Sequence, residues 1–138
     1  MLLDTNVISE LLRPAPSAAV MAWFLANRAP LYMSAVSRAE LLLGAALLPA
    51  GRRRRGLEAG LREMFDLRFR ARCLPFDAGA ADRYAELKGR RTRSGRPIST
   101  EDAQIAAIAQ FQQLPLVTRN AKDFVHLPGL EVINPWDA

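Results

Sequence analysis

Short apolar runs alternate along the chain with longer stretches whose apolar residues recur at helical spacing. The runs are mostly apolar on both faces, as expected for strands of a parallel sheet that is covered on two sides. They predict strands at residues 1–3, 31–35, 73–76, 116–118 and 131–133. The helical patterns cover residues 7–12, 18–27, 38–47, 52–65, 78–91 and 101–112. This alternation predicts an α/β domain of three layers with right-handed crossovers.

The composition is that of a folded globular protein. The chain has 138 residues, of which 50% are hydrophobic and 24% charged, so we expect one domain over residues 1–138. The single cysteine, Cys73, excludes an internal disulfide, and with the single histidine, His126, it cannot form a zinc site from cysteine and histidine alone. We expect His126 to be a loop residue without a chemical role.

No segment of the sequence predicts targeting or membrane insertion. The chain enters the first predicted strand directly, without a basic segment or a cleavage site, so we expect no signal peptide. The most apolar stretch outside the motifs, residues 18–26, is too short to cross a bilayer. We therefore expect a soluble, cytoplasmic protein with no membrane partner.

Positive charge is concentrated in the middle of the chain. Residues 52–96 hold 14 Lys and Arg against 6 Asp and Glu, a local balance of +8, whereas the whole chain carries +5. Such clusters are typical of surfaces that bind a nucleic-acid backbone, although a solvated helix face gives the same pattern. The candidates for contact with a polyanion are Arg52, Arg53, Arg90, Arg91, Arg93 and Arg96.

Four acidic residues are predicted at one edge of the sheet, where parallel strands end and ligands bind in open α/β folds. Asp4 ends the first strand, and Glu40 follows the second strand. Asp102 lies in the first turn of the last long helix, and Asp123 follows the strand at residues 116–118. Carboxylates gathered in one place repel one another unless a cation lies among them. Oxygen ligands without histidine or thiolate favour Mg²⁺ or Mn²⁺ over zinc, so the sequence predicts a divalent-metal site.

Each of these acids has an alternative role at a helix end. The segment from Ser37 to Glu40 matches a capping box, and Ser99 to Asp102 is a looser version of it. Four independent caps have no reason to meet at one edge, so we favour the metal site for Asp4 and expect the first helix to begin at Asn6. The short polar groups that could support the carboxylates are Thr5, Asn6, Thr118 and Asn120.

A carboxylate-held Mg²⁺ beside a basic surface indicates cleavage of phosphodiester bonds. The metal would polarise a nonbridging oxygen, activate a water and neutralise the charge on the leaving oxygen. The residues fit one ion or two. A DNA nuclease or another metal phosphoesterase would use the same chemistry.

Four segments, in this order, resemble the motifs of the PIN-domain family: LLDTNVISELLRP, SAVSRAELLLGAALLPAGRRR, GRPISTEDAQIAAIAQ and LVTRNAKDF…GLEVINPW. They resemble in particular the VapC toxins and their FitB-like subgroup. The resemblance implies a Rossmann-like α/β/α sandwich with a central parallel sheet of four to five strands, and a Mg²⁺- or Mn²⁺-dependent endoribonuclease. The family's catalytic, metal-binding quartet falls on Asp4, Glu40, Asp102 and Asp123. Helical periodicity does not distinguish Asp102 from its neighbour Glu101, but the resemblance favours Asp102.

The resemblance also implies partners. It predicts a homodimeric toxin of a type II toxin–antitoxin pair, inhibited by a cognate antitoxin whose C-terminal segment covers the acidic groove, and bound through that complex to operator DNA. The substrate implied is RNA. Apolar residues at 20–25 and 41–43 could contribute to a dimer or an antitoxin groove, although we expect most of them in the core. A second function stays open, that of an antitoxin-bound DNA-binding regulator with little or no nuclease activity.

Overall fold

The computed structural model describes residues 1–137, and these contain five short parallel strands. The strands are β1 (Leu2–Leu3), β2 (Met33–Ser34), β3 (Cys73–Leu74), β4 (Leu116–Val117) and β5 (Val132–Ile133). In one ladder β4 lies between β1 and β5, and in a second ladder β2 pairs with β3. Each strand lies inside a predicted apolar run, of which two residues form the ladder.

A bridge between β1 and the residue before β2 joins the two ladders. Leu2 pairs in parallel with Tyr32. The Leu3 N–H donates to the Tyr32 carbonyl at 2.9 Å, and the Tyr32 N–H donates to the Met1 carbonyl at 2.9 Å. The order across the sheet is therefore β3-β2-β1-β4-β5, which confirms the predicted parallel sheet and puts β1 at its centre.

Seven helices connect the strands within the described residues. They are α1 (Thr5–Leu11), α2 (Ala18–Ala26), α3 (Ala35–Ala46), α4 (Arg52–Arg68), α5 (Ala78–Arg93), α6 (Thr100–Gln112) and α7 (Ala121–Phe124). Six correspond to predicted helices, and the one-turn α7 was not predicted. The largest errors are of three residues: α4 ends at residue 68 instead of 65, and α3 starts at residue 35 instead of 38 because Ser34 caps the helix.

Both faces of the sheet are covered, because neighbouring residues of a strand point to opposite sides. Leu2 and Leu116 lie in a core formed with α5 and α6. Leu3 and Val117 lie in a second core formed with residues of α1, α3 and α4. The two-residue strands therefore contribute to both cores, and the predicted α/β/α sandwich is confirmed. Helix α6 is almost enclosed, since residues 105–109 are all buried.

The apolar segment at residues 20–25 is only partly in the core. Val20 and Trp23 of α2 are buried, whereas Met21 and Leu25 are exposed, Leu25 by 79%. The prediction that most of this segment lies in the core is therefore correct only for the side of α2 that carries Val20 and Trp23. No helix within residues 1–137 has the length and hydropathy needed to span a membrane.

Candidate active site

Asp4 lies at the middle of the edge where the strands end. It follows β1 directly and is only 3% exposed. Its Oδ1 accepts a hydrogen bond from the Thr5 N–H at 2.8 Å and thereby caps α1. Its Oδ2 accepts bonds from Thr118 Oγ1 at 2.7 Å and from Asn6 Nδ2 at 3.2 Å. Asp4 thus has the capping role that was treated as the alternative to the metal site, and the prediction that Asn6 begins the helix is wrong by one residue.

The Asp4 carboxylate is paired with hydrogen-bond donors and not with a cationic side chain of residues 1–137. Burial raises the pKa of Asp4 above its ordinary value; the bonds from Thr118 and Thr5 lower the pKa, and the charge of Glu40 raises it again. Within residues 1–137 no Lys or Arg forms an ion pair with Asp4. The result is a fixed, buried carboxylate for which a cation would be favourable.

Hydrogen bonds also fasten the loop after β4 to the turn after β1. Thr118 Oγ1 accepts from the Asn120 N–H at 3.1 Å, and Asn6 Oδ1 accepts from the Arg119 N–H at 3.2 Å. The predicted supporting residues Thr5, Asn6 and Thr118 therefore contact Asp4. Asn120 contributes its backbone N–H, and its side chain makes no capping bond to α7.

A chain of hydroxyl groups fixes Glu40. Thr5 Oγ1 donates to Glu40 Oε1 at 2.8 Å, and Ser37 Oγ lies 2.8 Å from Thr5 Oγ1. Ser34 Oγ in turn donates to Ser37 Oγ at 3.2 Å. Because each hydroxyl donates a single proton, the chain runs in one direction, from Ser34 to the Glu40 carboxylate.

The capping-box interpretation of Ser37 and Glu40 is wrong. Ser34 caps α3, accepting from the Ser37 N–H at 2.9 Å, and Glu40 lies in the second turn of the helix. The Glu40 side chain therefore does not cap α3, and it bonds to Thr5 of α1 instead. The roles of Ser34 and Ser37 were missed from the sequence, although their three-residue spacing is that of an N-cap and its bonded residue.

Asp102 lies in the first turn of α6, as predicted. Ser99 caps this helix, and its Oγ accepts from the Asp102 N–H at 3.2 Å. Burial raises the pKa of Asp102; the charge of Asp4 raises the pKa further, the Ser99 hydroxyl lowers it, and the charge of Asp123 also raises it. The neighbouring Glu101 is exposed. Asp102 is therefore the acid of this pair that shares the electrostatic environment of Asp4.

The four predicted acids form one electrostatic cluster. The charge of Glu40 acts on Asp4, and those of Asp4 and Asp123 act on Asp102. Among residues 1–137, no three His, Cys, Asp or Glu side chains are close enough together to hold a metal ion as they stand. The donor chemistry fits a hard divalent cation, because all four groups are carboxylates and repel one another. To bind one cation together, the acids have to draw closer.

Five of the six predicted basic residues lie on α4 and α5, which pack on opposite faces of the sheet, and Arg96 lies in the loop after α5. Helix α4 packs against α3, and α5 packs against α6. Arg91 is the one tied to an acid-bearing segment: its Nη1 donates to the Asp123 carbonyl at 3.0 Å and its Nε donates to the Arg96 carbonyl at 2.7 Å. The exposed members of the set are Arg52, Arg53, Arg90, Arg93 and Arg96.

An apolar groove begins beside Glu40. It has a volume of about 580 Å³ and runs between α1, α3 and α4. Thr5 and Glu40 line it together with leucines and two arginines: Leu12, Leu41, Leu48, Leu57, Leu61, Arg13 and Arg53. The site thus opens onto an apolar surface that carries positive charge. His126 lies in an exposed loop, as predicted, and neither it nor the half-buried Cys73 belongs to the acid cluster.

The fold and the placement of the acids define a known class of protein. The PIN domain family matches residues 1–130, and the chain belongs to this family. The resemblance read from the sequence motifs is therefore confirmed.

Two relatives match almost end to end. The chain is 41% identical over 136 residues to VapC ribonuclease Y4jK of Sinorhizobium fredii, covering 98% of this chain and 96% of the relative. It is 40% identical over 136 residues to Toxin FitB of Neisseria gonorrhoeae, covering 98% and 97%. The similarity to ribonuclease and toxin relatives that the motifs predicted is thus confirmed.

Solved structures give the same result. FitAcB from Neisseria gonorrhoeae matches with a TM-score of 0.88 and 38% identity, covering 99% of both chains. FitAB bound to an IR36 DNA fragment matches with a TM-score of 0.87 and 37% identity, covering 98% of this chain and 94% of the other. A toxin–antitoxin complex from Klebsiella pneumoniae matches with a TM-score of 0.73 and 25% identity, covering 97% and 96%.

Proposed function

We propose that the protein is a Mg²⁺- or Mn²⁺-dependent endoribonuclease and the toxin of a type II toxin–antitoxin pair. The observation that carries the proposal is the state of Asp4. It is a buried carboxylate that accepts hydrogen bonds from three donors, and the negative charge of Glu40 raises its pKa further. Such a group is costly to keep ionised unless it serves a cation. The relatives named VapC ribonuclease and Toxin FitB support the same function.

The four acids would hold the cation through carboxylate oxygens. When bound there, Mg²⁺ or Mn²⁺ supplies Lewis-acid chemistry, polarising a phosphate oxygen and lowering the pKa of a nearby water. Thr118 and Asn6 keep Asp4 in one orientation, and Thr5 does the same for Glu40. The raised pKa values of Asp4 and Asp102 mean that protons compete with the cation, so occupancy increases with pH.

The proposed inhibitor is a cognate antitoxin, and its segment would occupy the apolar groove beside Glu40. The partly exposed leucines Leu41, Leu48 and Leu57 offer a surface for an amphipathic segment. From this groove an arginine of the partner could reach the carboxylates and take the place of the cation's charge. The toxin–antitoxin complex from Klebsiella pneumoniae supports this kind of partner.

The decisive experiment compares RNA cleavage by the wild type and by Asp4→Asn. A mixed pool of structured and single-stranded RNA is incubated with each protein in Mg²⁺, in Mn²⁺ and in EDTA. Asparagine is a good N-cap, so the variant keeps α1 intact. We expect metal-dependent cleavage by the wild type and a loss of about 100-fold or more in Asp4→Asn, because several kcal/mol of transition-state stabilisation depend on the ion.

The matched control is Asp82→Asn, which removes an exposed acid of α5 outside the cluster. This variant should cleave like the wild type. Mn²⁺ binding, measured by titration calorimetry, gives a second readout and should weaken in Asp4→Asn only. Cleavage that persists in EDTA, or an Asp4→Asn protein with full activity, would contradict the mechanism.

A second candidate function is regulation of transcription by an antitoxin-bound complex with little nuclease activity. The DNA-bound FitAB structure favours this candidate. Expression of the chain alone separates the two functions: arrested growth, relieved by Asp4→Asn, supports the nuclease. Harmless expression of folded, Mn²⁺-binding protein supports the regulator.

A further inference from the structure

A second groove, lined by basic and amide side chains, lies on the outer side of α5. It has a volume of about 390 Å³ and is bounded by α5, the end of α6 and the loop after α7. The polar groups that line it include Arg83, Arg90, Arg91, Gln110, Gln113 and His126. None of the four acids of the candidate active site lines this groove.

The groove carries an excess of positive charge. Its one acidic residue, Glu86, lies 4.0 Å from Arg83. Within residues 1–137, neither Arg90 nor Arg91 forms an ion pair. Arg91 donates only to backbone carbonyls, which orient its guanidinium without neutralising its charge and leave N–H groups free to bind an anion. An anionic ligand therefore meets, at Arg91, a fixed positive charge that no acidic side chain within residues 1–137 pairs with.

The loop at residues 126–129, which lines the groove opposite α5, is held in a fixed conformation. His126 has φ 73° and Gly129 has φ 69°, and these left-handed residues turn the loop back against α6. Gln110 Nε2 donates to the Pro128 carbonyl at 2.9 Å and fastens the loop to α6. The groove thus exists before any ligand arrives, which lowers the entropic cost of binding.

One contact connects the groove to the candidate active site. Arg91 Nη1 donates to the Asp123 backbone carbonyl at 3.0 Å, so an arginine that lines the groove is bonded to the backbone of the last acid of the cluster. A strand whose scissile phosphate lies at the acids can therefore continue along α5 toward Arg83. The repeating negative charge of a nucleic-acid backbone matches the arginines that line this path.

We propose that this groove binds the phosphodiester backbone of single-stranded RNA on one side of the scissile bond. The inference rests on the ribonuclease function proposed above and adds a binding surface to it. Arg83 and Arg90 contact phosphates, and Arg91 both contacts the strand and fixes the Asp123 segment. The contacts supply affinity and direction along the strand rather than sequence preference.

The test uses the double variant Arg83→Ala/Arg90→Ala, because neither residue bonds to the Asp123 segment. Binding of a short, fluorescein-labelled single-stranded RNA of mixed sequence is measured by anisotropy over a range of salt concentrations, in the cleavage-deficient Asp4→Asn background. The matched control is Arg28→Ala, which removes an exposed arginine before β2, at the opposite end of the strands. Asp102→Asn serves as a second background if Asp4→Asn is poorly folded.

We expect the double variant to bind about tenfold more weakly near 0.15 M salt, and the slope of log K against log salt to fall by about 1.4, because each lost phosphate contact removes about 0.7. In the active protein the same variant should raise KM and leave kcat nearly unchanged. If the double variant has the same RNA affinity and the same salt slope as Arg28→Ala, the groove proposal is overturned. The basic surface would then be a binding site for another acidic partner. Absence of cleavage by the wild type would instead overturn the proposed function.

Discussion

Replacing Thr118 with valine tests whether hydrogen bonds hold Asp4 as an ionised carboxylate. Thr118 is fully buried, donates to Asp4 Oδ2 at 2.7 Å and accepts from the Asn120 N–H at 3.1 Å. Valine fills nearly the same space but makes neither bond. The substitution therefore removes two polar contacts from the site without creating a cavity.

The expected loss of stability follows from the kinds of bond removed. A hydrogen bond to a charged group contributes about 1.5–3 kcal/mol, and a neutral one about 1 kcal/mol. Asn6 still donates to Oδ2, and Asn120 is exposed, so its N–H can bond to water. We therefore expect Thr118→Val to lower the free energy of unfolding by about 2 kcal/mol, or the melting temperature by about 6 °C for a chain of this length.

The loss should also depend on pH with a definite sign. The Thr118 bond lowers the pKa of Asp4, which means that it stabilises the ionised form more than the protonated one. The destabilisation of Thr118→Val is therefore complete at a pH above the raised pKa of Asp4, where Asp4 is ionised in both folded proteins. It becomes smaller as the pH falls through that pKa and Asp4 is protonated in both proteins.

Urea unfolding followed by circular dichroism at about pH 7 and at pH 3.8 measures both effects, because a pKa of Asp4 raised above 3.8 leaves it more than half protonated at the lower pH. Thr118→Ser is the control, because it keeps the hydroxyl and loses only a methyl group, at a cost of about 0.8 kcal/mol. A valine variant that is as stable as wild type at neutral pH would refute the reasoning. So would a loss of about 2 kcal/mol that is the same at both pH values, since the bond would then not depend on the charge of Asp4.

Three further substitutions test the electrostatics and the packing. Asp102→Asn should raise the free energy of unfolding by about 1 kcal/mol at neutral pH, because burial and the charge of Asp4 raise the Asp102 pKa and the ionised form opposes folding. In urea titrations this gain should disappear as the pH falls to 3.8, the ordinary pKa of aspartate. Gly79→Ala should lower the free energy of unfolding, measured by thermal melts, by about 1–3 kcal/mol, because the added methyl would overlap the Phe111 ring. Gly60→Ala, which has open space around it, should raise the free energy of unfolding by about 0.5–1 kcal/mol. Changes of the same sign in both variants would contradict the packing argument.

The edge that carries the acids could be predicted because the neighbouring strands β1 and β4 end abruptly in the sequence. Leu2–Leu3 is followed at once by Asp4, and Leu116–Val117 by Thr118. A change from apolar to short polar residues marks the carboxyl end of a buried strand, and parallel strands bring those ends to one edge. The direction of every strand then follows from the helices between them. Local pattern and global fold agree here, so little information from distant residues was needed.

The surroundings of Glu40 could not be predicted in the same way. Ser34 and Ser37 are both possible N-caps of α3, and the local sequence does not choose between them. The choice depends on Thr5, which lies 32 residues before Ser37 and bonds to its hydroxyl. The groove along α5 was missed for the same reason, since its wall at residues 126–129 comes from a distant part of the chain.

The residues from Asp4 to Asn6 show why this site needs three consecutive polar groups directly after a buried strand. The Thr5 N–H binds Asp4 while its hydroxyl binds Glu40, so this one residue sets the separation of two acids. Asn6 donates to Asp4 and accepts from the Arg119 N–H, and thereby connects the same turn to the loop that leads to Asp123. If this polar segment were shifted by one residue along the chain, each of these bonds would fall at another position of α1 and the acids would be separated. The proposed cation, by drawing the carboxylates closer, would have to weaken some of these bonds, so its net affinity would be the difference between relieved repulsion and this cost.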